Sequence, residues 1–268
     1  MRRTRALPEG LGEAIRTTGA DVAALLRSAV DPAVPVPGLA WTLGETAAHL
    51  AQANALMADL AAGRGGAWGD GTPGGLADAN ARALAGFPVR APGPLAAMIT
   101  ERASAFVTAP PAYDDPETPL PTPLGPMNRA VLGSYLLTHM LGHGFDIARA
   151  LRRPHMIDLA RVELCLPFLH TVLPRVAHAP AIAGLRIRYA HQLRGGSSFG
   201  VTVADGLVTV EPGPPPDPDC VIRTDPVTFL LLCLGRRSPH AAMARGHILP
   251  GGPRPWLAPR FPGLFRPP

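Results

Sequence analysis

Lysine is absent from this sequence, and every basic side chain is an arginine. Charged residues make up only 17% of the 268 residues, whereas hydrophobic residues make up 47%. Such a composition excludes a disordered chain and predicts a buried core. The formal net charge of +5 would suit a nucleic acid or an anionic membrane, but the arginines are scattered and no strand interleaves them with aromatic residues. We expect neither partner.

Cysteine is also scarce, since the chain has only Cys165, Cys220 and Cys233. The number is odd, the neighbours are apolar and no CxxC spacing occurs, so a disulfide framework and a zinc knuckle are both excluded. A run of about 18 apolar residues is missing too, and no apolar segment follows the N-terminal arginines. We expect a soluble, cytoplasmic protein.

Proline and glycine are abundant, with 33 and 29 residues, and they divide the chain into short elements. In the first half, apolar periodicity predicts four helical segments. These segments are 11–30, 42–62, a kinked or split 76–84 with 94–107, and 128–151. A T-x-x-E capping box, Thr42 with Glu45, begins the second segment. The proline-rich residues 110–126 are interpreted as a lid or a wrapping loop.

The second half alternates differently, because a helix over 157–176 leads into short runs of period two. Strands are predicted at 185–189, 199–203, 207–210 and 220–223, followed by helices at 226–234 and 240–244 and a proline-studded tail. Asp205-Gly206 is typical of a hairpin turn. The fold class is therefore α+β with two domains, a helical bundle over 1–153 and a smaller domain over 154–268.

His139 and His143 lie four residues apart on an apolar helix, so both imidazoles can reach one metal ion. Spacing alone is as typical of packed or surface histidines, and a lone His49 would most simply be a hydrogen-bonded core residue. Three histidines on two apolar helices of one bundle, however, match the way in which bundles build metal sites. We predict a divalent metal held by these three side chains, with open coordination positions as in a catalytic site.

Neighbouring residues allow two interpretations each. Tyr135 and Asp146 lie one turn from the histidines and could support them, but Asp146 could equally form a salt bridge with Arg149, which we favour. Trp41 precedes the capping box and is expected in the core, although it could border the pocket.

Further histidines, His191, His240 and His247, could line a cleft between the domains. We expect them instead to be exposed residues of strands and loops.

Two segments resemble signatures of a known family: residues 41–50, WTLGETAAHL, and residues 143–150, HGFDIARA. They are similar to those of the mycothiol-dependent maleylpyruvate isomerase family, within the DinB/YfiT-like metal-binding bundles. The Asp205-Gly206 hairpin and the Leu234-Gly235-Arg236 helix end resemble the sterol-carrier-like α+β domain that follows the bundle in that family. The resemblance implies a DinB-like four-helix bundle followed by a small sterol-carrier-like domain.

The resemblance also implies an activity. A zinc-type site would bind mycothiol, lower the pKa of its thiol and present a thiolate to an electrophilic small molecule. The reaction would be an isomerisation or the transfer of the thiol. The family uses an arginine of the second domain near the catalytic cleft, and Arg236, with Arg237 beside it, best matches that position.

One position departs from the family pattern, which usually has glutamate where this chain has His139. Three imidazoles still favour zinc, although they would accept nickel, cobalt or iron(II). A thiol S-transferase then agrees with the sequence as well as an isomerase does. Two other classes stay open: a non-catalytic protein that binds a small hydrophobic ligand, and a thiol sensor, each with the bundle as a scaffold. A monomer or weak homodimer is expected.

Overall fold

The structure, a computed structural model, describes residues 7–65, 68–69 and 73–266. The chain divides into two compact units, Met1–Ile157 and Asp158–Pro268. The predicted domain boundary, after Arg153, lies a few residues before this division. The predicted domain ranges also include residues 1–6 and 267–268, which lie outside the described residues. Among the described helices, none is both long and apolar enough to cross a membrane.

The first unit is helical. Its helices are α1 (Leu11–Arg27), α2 (Leu43–Ala61), α3 (Pro73–Ala85), α4 (Pro92–Thr108) and α5 (Arg129–Ala150). Helices α1 and α2 each pack against both α4 and α5, which forms the predicted four-helix bundle, and α3 packs against α2. The third predicted segment is split into α3 and α4, because a proline at the first position begins a new helix but cannot continue an existing one.

Side-chain caps fix where the two histidine-bearing helices begin. The predicted capping box is present, with Glu45 N donating to Thr42 Oγ1 at 3.3 Å and Thr42 N donating to Glu45 Oε2 at 2.8 Å. Asn128 caps α5 by accepting from Val131 N at 2.9 Å. These bonds satisfy backbone N–H groups that a helix start otherwise leaves without partners.

The proline-rich segment between α4 and α5 wraps on the first unit. Leu120 and Met127 are each 3% exposed, and their backbones form an antiparallel bridge with N···O distances of 2.7 and 3.0 Å. The two buried side chains anchor this segment and the bridge closes it on itself, as expected of a wrapping loop and not of a free lid.

The second unit is a small mixed sheet with helices. Its helices are α6 (Leu159–Val172), α7 (Ala179–Ile182), α8 (Pro226–Cys233) and α9 (Pro239–Ala244), with 3₁₀ segments at Leu173–Val176 and Pro255–Leu264. Its strands are β1 (Ile187–Leu193), β2 (Ser198–Ala204), β3 (Leu207–Pro212), β4 (Cys220–Thr224) and β5 (Ile248–Gly251). Within the described residues the strand order is β3-β2-β1-β4-β5, with β1 and β4 parallel and the other pairs antiparallel. The predicted α+β class is confirmed.

The hairpin between β2 and β3 has the predicted turn. Asp205 and Gly206 have φ values of 52° and 74°, the left-handed conformations that a two-residue type I′ turn requires. The predicted tail, in contrast, contains β5, which pairs with β4. A four-residue strand that contains a proline leaves little local pattern, so only its pairing identifies it.

His191 corrects an expectation, because it is 4% exposed and not a surface residue. It lies on β1, and its ring stacks on Phe199 with centroids 4.9 Å apart and planes 5° apart, while Phe261 is 4.4 Å away. Burial, and secondly the nearby His170, lowers the pKa of His191 to about 3. The side chain is therefore a neutral part of an aromatic core. His240, by contrast, is exposed as expected.

This burial predicts acid sensitivity of the second unit. In the unfolded chain His191 gains its proton near pH 6.5, whereas in the folded chain its pKa is about 3. The unfolded state thus binds more protons below that pH, and the free energy of unfolding should fall by about 1 kcal/mol per pH unit between about pH 6.5 and pH 5. Urea unfolding of wild type and His191→Phe, followed by circular dichroism, checks this. A slope that is equally steep in the variant would contradict it.

Candidate metal centre

Helices α2 and α5 bring the three predicted histidines together. One nitrogen from each of His49, His139 and His143 lies within 4.8 Å of the others. The shortest separation joins His49 Nε2 to His139 Nε2, at 3.1 Å, although the two residues are 90 positions apart in sequence. Among the described residues, this is the one group of three or more potential ligands with such geometry.

The spacing suits a shared metal ion. Two nitrogens bound at about 2.0–2.1 Å to one tetrahedral ion lie about 3.3 Å apart, close to the observed His49–His139 contact. Two imidazole lone pairs cannot face each other at that distance unless a proton or a cation lies between them. Ring centroids separated by 4.7 to 5.1 Å place the third imidazole beside the other two. The donor set therefore fits a divalent ion.

Burial covers two of the three histidines and keeps His49 neutral. His49 is 6% exposed and His143 is 9% exposed, whereas His139 is half-buried. Burial, and secondly the charge of His143, lowers the pKa of His49 to about 3. A neutral imidazole offers its lone pair to a metal without first losing a proton.

Trp41 forms one wall of the site, which corrects its assignment to the core. Its ring centroid lies 4.9 Å from that of His49 and 6.3 Å from that of His143, and the side chain is half-buried. Trp41 directly precedes the N-cap of α2, and its indole lies beside the helix face that carries His49. On the other side, the ring centroids of Tyr135 and His139 lie 6.3 Å apart. Burial raises the pKa of the Tyr135 phenol well above its ordinary value.

Asp146 contacts the site, which sequence reasoning had not favoured. Its Oδ2 lies 3.2 Å from His143 Nδ1, and the residue is only 1% exposed. Arg149, the favoured partner, is exposed and places its guanidinium 5.5 Å from the ring of Phe145. This contact therefore supports the pairing of Asp146 with a histidine over the salt bridge with Arg149.

Arg236 belongs to the second unit, where it follows the end of α8. Gly235 has a φ of 69°, and Arg236 N donates to Leu231 O at 2.7 Å, as in a Schellman motif. Arg236 Nη1 donates to Leu234 O at 2.7 Å, and Arg237 Nη1 donates to Thr228 Oγ1. The helix end thus positions both arginines, and the catalytic role of Arg236 stays a prediction.

Known proteins share this architecture. Residues 162–259 match the family model described as the MDMPI C-terminal domain. The crystal structure of the mycothiol-dependent maleylpyruvate isomerase is 16% identical over 86% of this chain and 90% of that chain, with a TM-score of 0.52. A histidine-to-alanine mutant of that enzyme is 15% identical over 91% of this chain and 92% of that chain, with a TM-score of 0.56.

Other similarities are weaker. The sec-alkylsulfatase Pisa1 from Pseudomonas sp. is 14% identical over 51% of this chain, with a TM-score of 0.35, which is too low to define a fold. This chain spans only 24% of the length of that sulfatase. No protein of curated function matches the chain in sequence.

These findings define the class first: an α+β protein in which a helical bundle precedes a small mixed sheet. More narrowly, the chain has the fold of the mycothiol-dependent maleylpyruvate isomerase, and residues 162–259 of its second unit match the model of the MDMPI C-terminal domain. The resemblance predicted from the sequence is confirmed at these two levels.

The position of Trp41 predicts an optical signal for metal binding. A paramagnetic ion such as Co²⁺ held by the three histidines would lie close to the indole and should quench its emission. We expect Co²⁺ titration to lower the tryptophan fluorescence of wild type and of the control Trp256→Phe, but not that of Trp41→Phe. Equal quenching in all three proteins would place the ion elsewhere.

Proposed function

We propose that this chain is a metal-dependent enzyme that activates a low-molecular-weight thiol for attack on an electrophilic small molecule. The observation that carries the proposal is the meeting of three imidazoles from α2 and α5 in a largely apolar bundle. The fold shared with a mycothiol-dependent maleylpyruvate isomerase supports it, and mycothiol is the thiol we expect.

His49, His139 and His143 would hold the ion, for which zinc is the first candidate and nickel, cobalt or iron(II) are acceptable. When bound, a divalent ion lowers the pKa of a coordinated thiol and so makes a thiolate available near neutral pH. Three protein ligands leave room for that thiol. The imidazoles are uncharged, so nothing in the ligand set repels the sulfur anion.

Two aromatic side chains of the first unit border the histidines. Trp41 covers one side of the histidines with an apolar ring, and the protonated phenol of Tyr135 lies behind His139. In the second unit Arg236 is the residue we propose for binding the anionic part of a substrate, because a guanidinium pairs with carboxylate in a two-pronged contact.

Two reactions are consistent with this chemistry. In an isomerisation, the thiolate adds to one carbon of an activated double bond and the electron pair moves to the adjacent carbonyl. The new single bond then rotates, and elimination returns the double bond and the thiolate. In a transfer, the enolate formed by this addition takes up a proton from solvent instead of eliminating the thiolate, and the sulfur stays on the product as a thioether. His139, where the resembling isomerases usually have glutamate, leaves both reactions open.

Metal uptake is the first test. We expect reconstituted wild-type protein to retain about one equivalent of Zn²⁺ after dialysis. His49→Ala and His143→Ala should bind Zn²⁺ at least tenfold more weakly, because each loses one of three ligands, whereas the exposed control His240→Ala should bind as wild type does. Elemental analysis and chelator competition measure this. Uptake that does not depend on the three histidines would refute the site.

Thiol binding is the second test. A thiolate ligand gives Co²⁺ a sulfur-to-metal charge-transfer absorption, so mycothiol, ergothioneine and other small thiols can be titrated into the Co²⁺-loaded protein. We expect mycothiol to produce the band in wild type and not in His49→Ala. If no thiol produces it, thiol activation is wrong even if the metal binds. A non-catalytic ligand-binding or sensing protein would instead keep its biological activity in His49→Ala.

A further inference from the structure

We propose that Asp146 is a positioning residue for the metal centre: its carboxylate keeps the proton of His143 on Nδ1 and so directs Nε2 towards the ion. This inference rests on the proposed function, because it assumes that the three histidines bind a metal.

The geometry places the carboxylate beside one nitrogen of one ligand. His143 and Asp146 lie three residues apart on α5, and His143 Nδ1 is 3.2 Å from Asp146 Oδ2. The contact is within ion-pair distance but is not aligned as a hydrogen bond, so it acts through charge. The two side chains are 11% and 1% exposed, which leaves little water to screen that charge.

Asp146 is almost completely buried. Removing a carboxylate from water costs several kcal/mol unless positive charge or N–H groups face it. The bundle nevertheless keeps Asp146 on the inner side of α5, between the apolar Phe145 and Ile147, which are themselves buried. His143, which becomes more positive when it binds a metal, is one partner for that charge.

The contact decides which nitrogen is free. A neutral imidazole carries one proton on either Nδ1 or Nε2, and a nearby negative charge favours the tautomer whose N–H lies nearer to it. With the proton on Nδ1, the lone pair lies on Nε2. His49 already offers Nε2 towards His139, so the same choice at His143 gives the ion nitrogen donors of one kind.

Carboxylates that contact a metal ligand strengthen metal sites, and removing one typically weakens metal binding by a factor of about 10 to 100. Asp146→Asn keeps the shape and an acceptor oxygen but removes the charge, so we expect Zn²⁺ binding about tenfold weaker. Asp146→Leu removes both the charge and the acceptor oxygen, and we expect its Zn²⁺ binding to be weaker by up to about 100-fold. Competition with a chelating indicator measures each dissociation constant.

A second readout separates positioning from a merely structural role. In Zn²⁺-loaded wild type, nitrogen-proton NMR correlations of the imidazole rings should show a proton on Nδ1 of His143, with Nε2 bound to the ion. In Asp146→Asn and Asp146→Leu that Nδ1–H signal should shift or disappear. A structural role alone would lower the unfolding midpoint of the metal-free protein and leave the tautomer unchanged.

The control is Arg149→Met, which changes an exposed charge on the same helix without touching His143. It should bind Zn²⁺ as wild type does. If both Asp146 variants also bind Zn²⁺ with wild-type affinity, or if His143 binds through Nδ1, the positioning role is wrong while the metal site stands. If Asp146→Leu fails to fold, Asp146→Asn decides. If wild type itself takes up no metal, the proposed function fails first, and this inference fails with it.

Discussion

The packing of α2 against α5 is the contact on which the rest of this molecule's chemistry depends. It places His49 and His139 within 3.1 Å across 90 residues of sequence, inside a bundle whose neighbouring positions are almost all apolar. A low-dielectric interior makes unpaired polar atoms costly, and it equally strengthens any charge interaction that forms there. The helices thus create a place where three nitrogen donors could meet a cation.

Several local features serve this packing. The Thr42 capping box fixes the start of α2, and with it the positions of Trp41 and His49 relative to the helix axis. Beside His143, Gly144 lets α1 approach closely, because a Cβ atom there would lie 3.0 Å from Val22 Cγ2 and 2.9 Å from Met156 Sδ. A larger residue would push neighbouring side chains away from the helix that carries two of the histidines. Stability and site geometry therefore depend on the same contacts.

Sequence reasoning succeeded where the signal is local. Capping residues, the Asp205-Gly206 turn and helical periodicity indicated most elements, and two histidines one turn apart on an apolar helix indicated the candidate site. It failed where a residue has two possible partners at the same sequence spacing. Asp146 lies three residues after His143 and three before Arg149, so spacing cannot select a partner, and only its burial does. The burial of His191 likewise depends on which strand face meets Phe261, a contact 70 residues away along the chain.

Charge explains why such a site would bind a thiolate better than the neutral thiol. Three neutral imidazoles contribute no charge, so a divalent ion beside the buried carboxylate of Asp146 leaves the site with one net positive charge. One thiolate neutralises it, whereas a neutral thiol or a water molecule leaves the charge in a medium that stabilises it poorly. A second anion would make the site negative again. The arrangement around His49, His139 and His143 thus favours a single monoanionic ligand, such as a thiolate, over neutral ligands, before any substrate contact contributes.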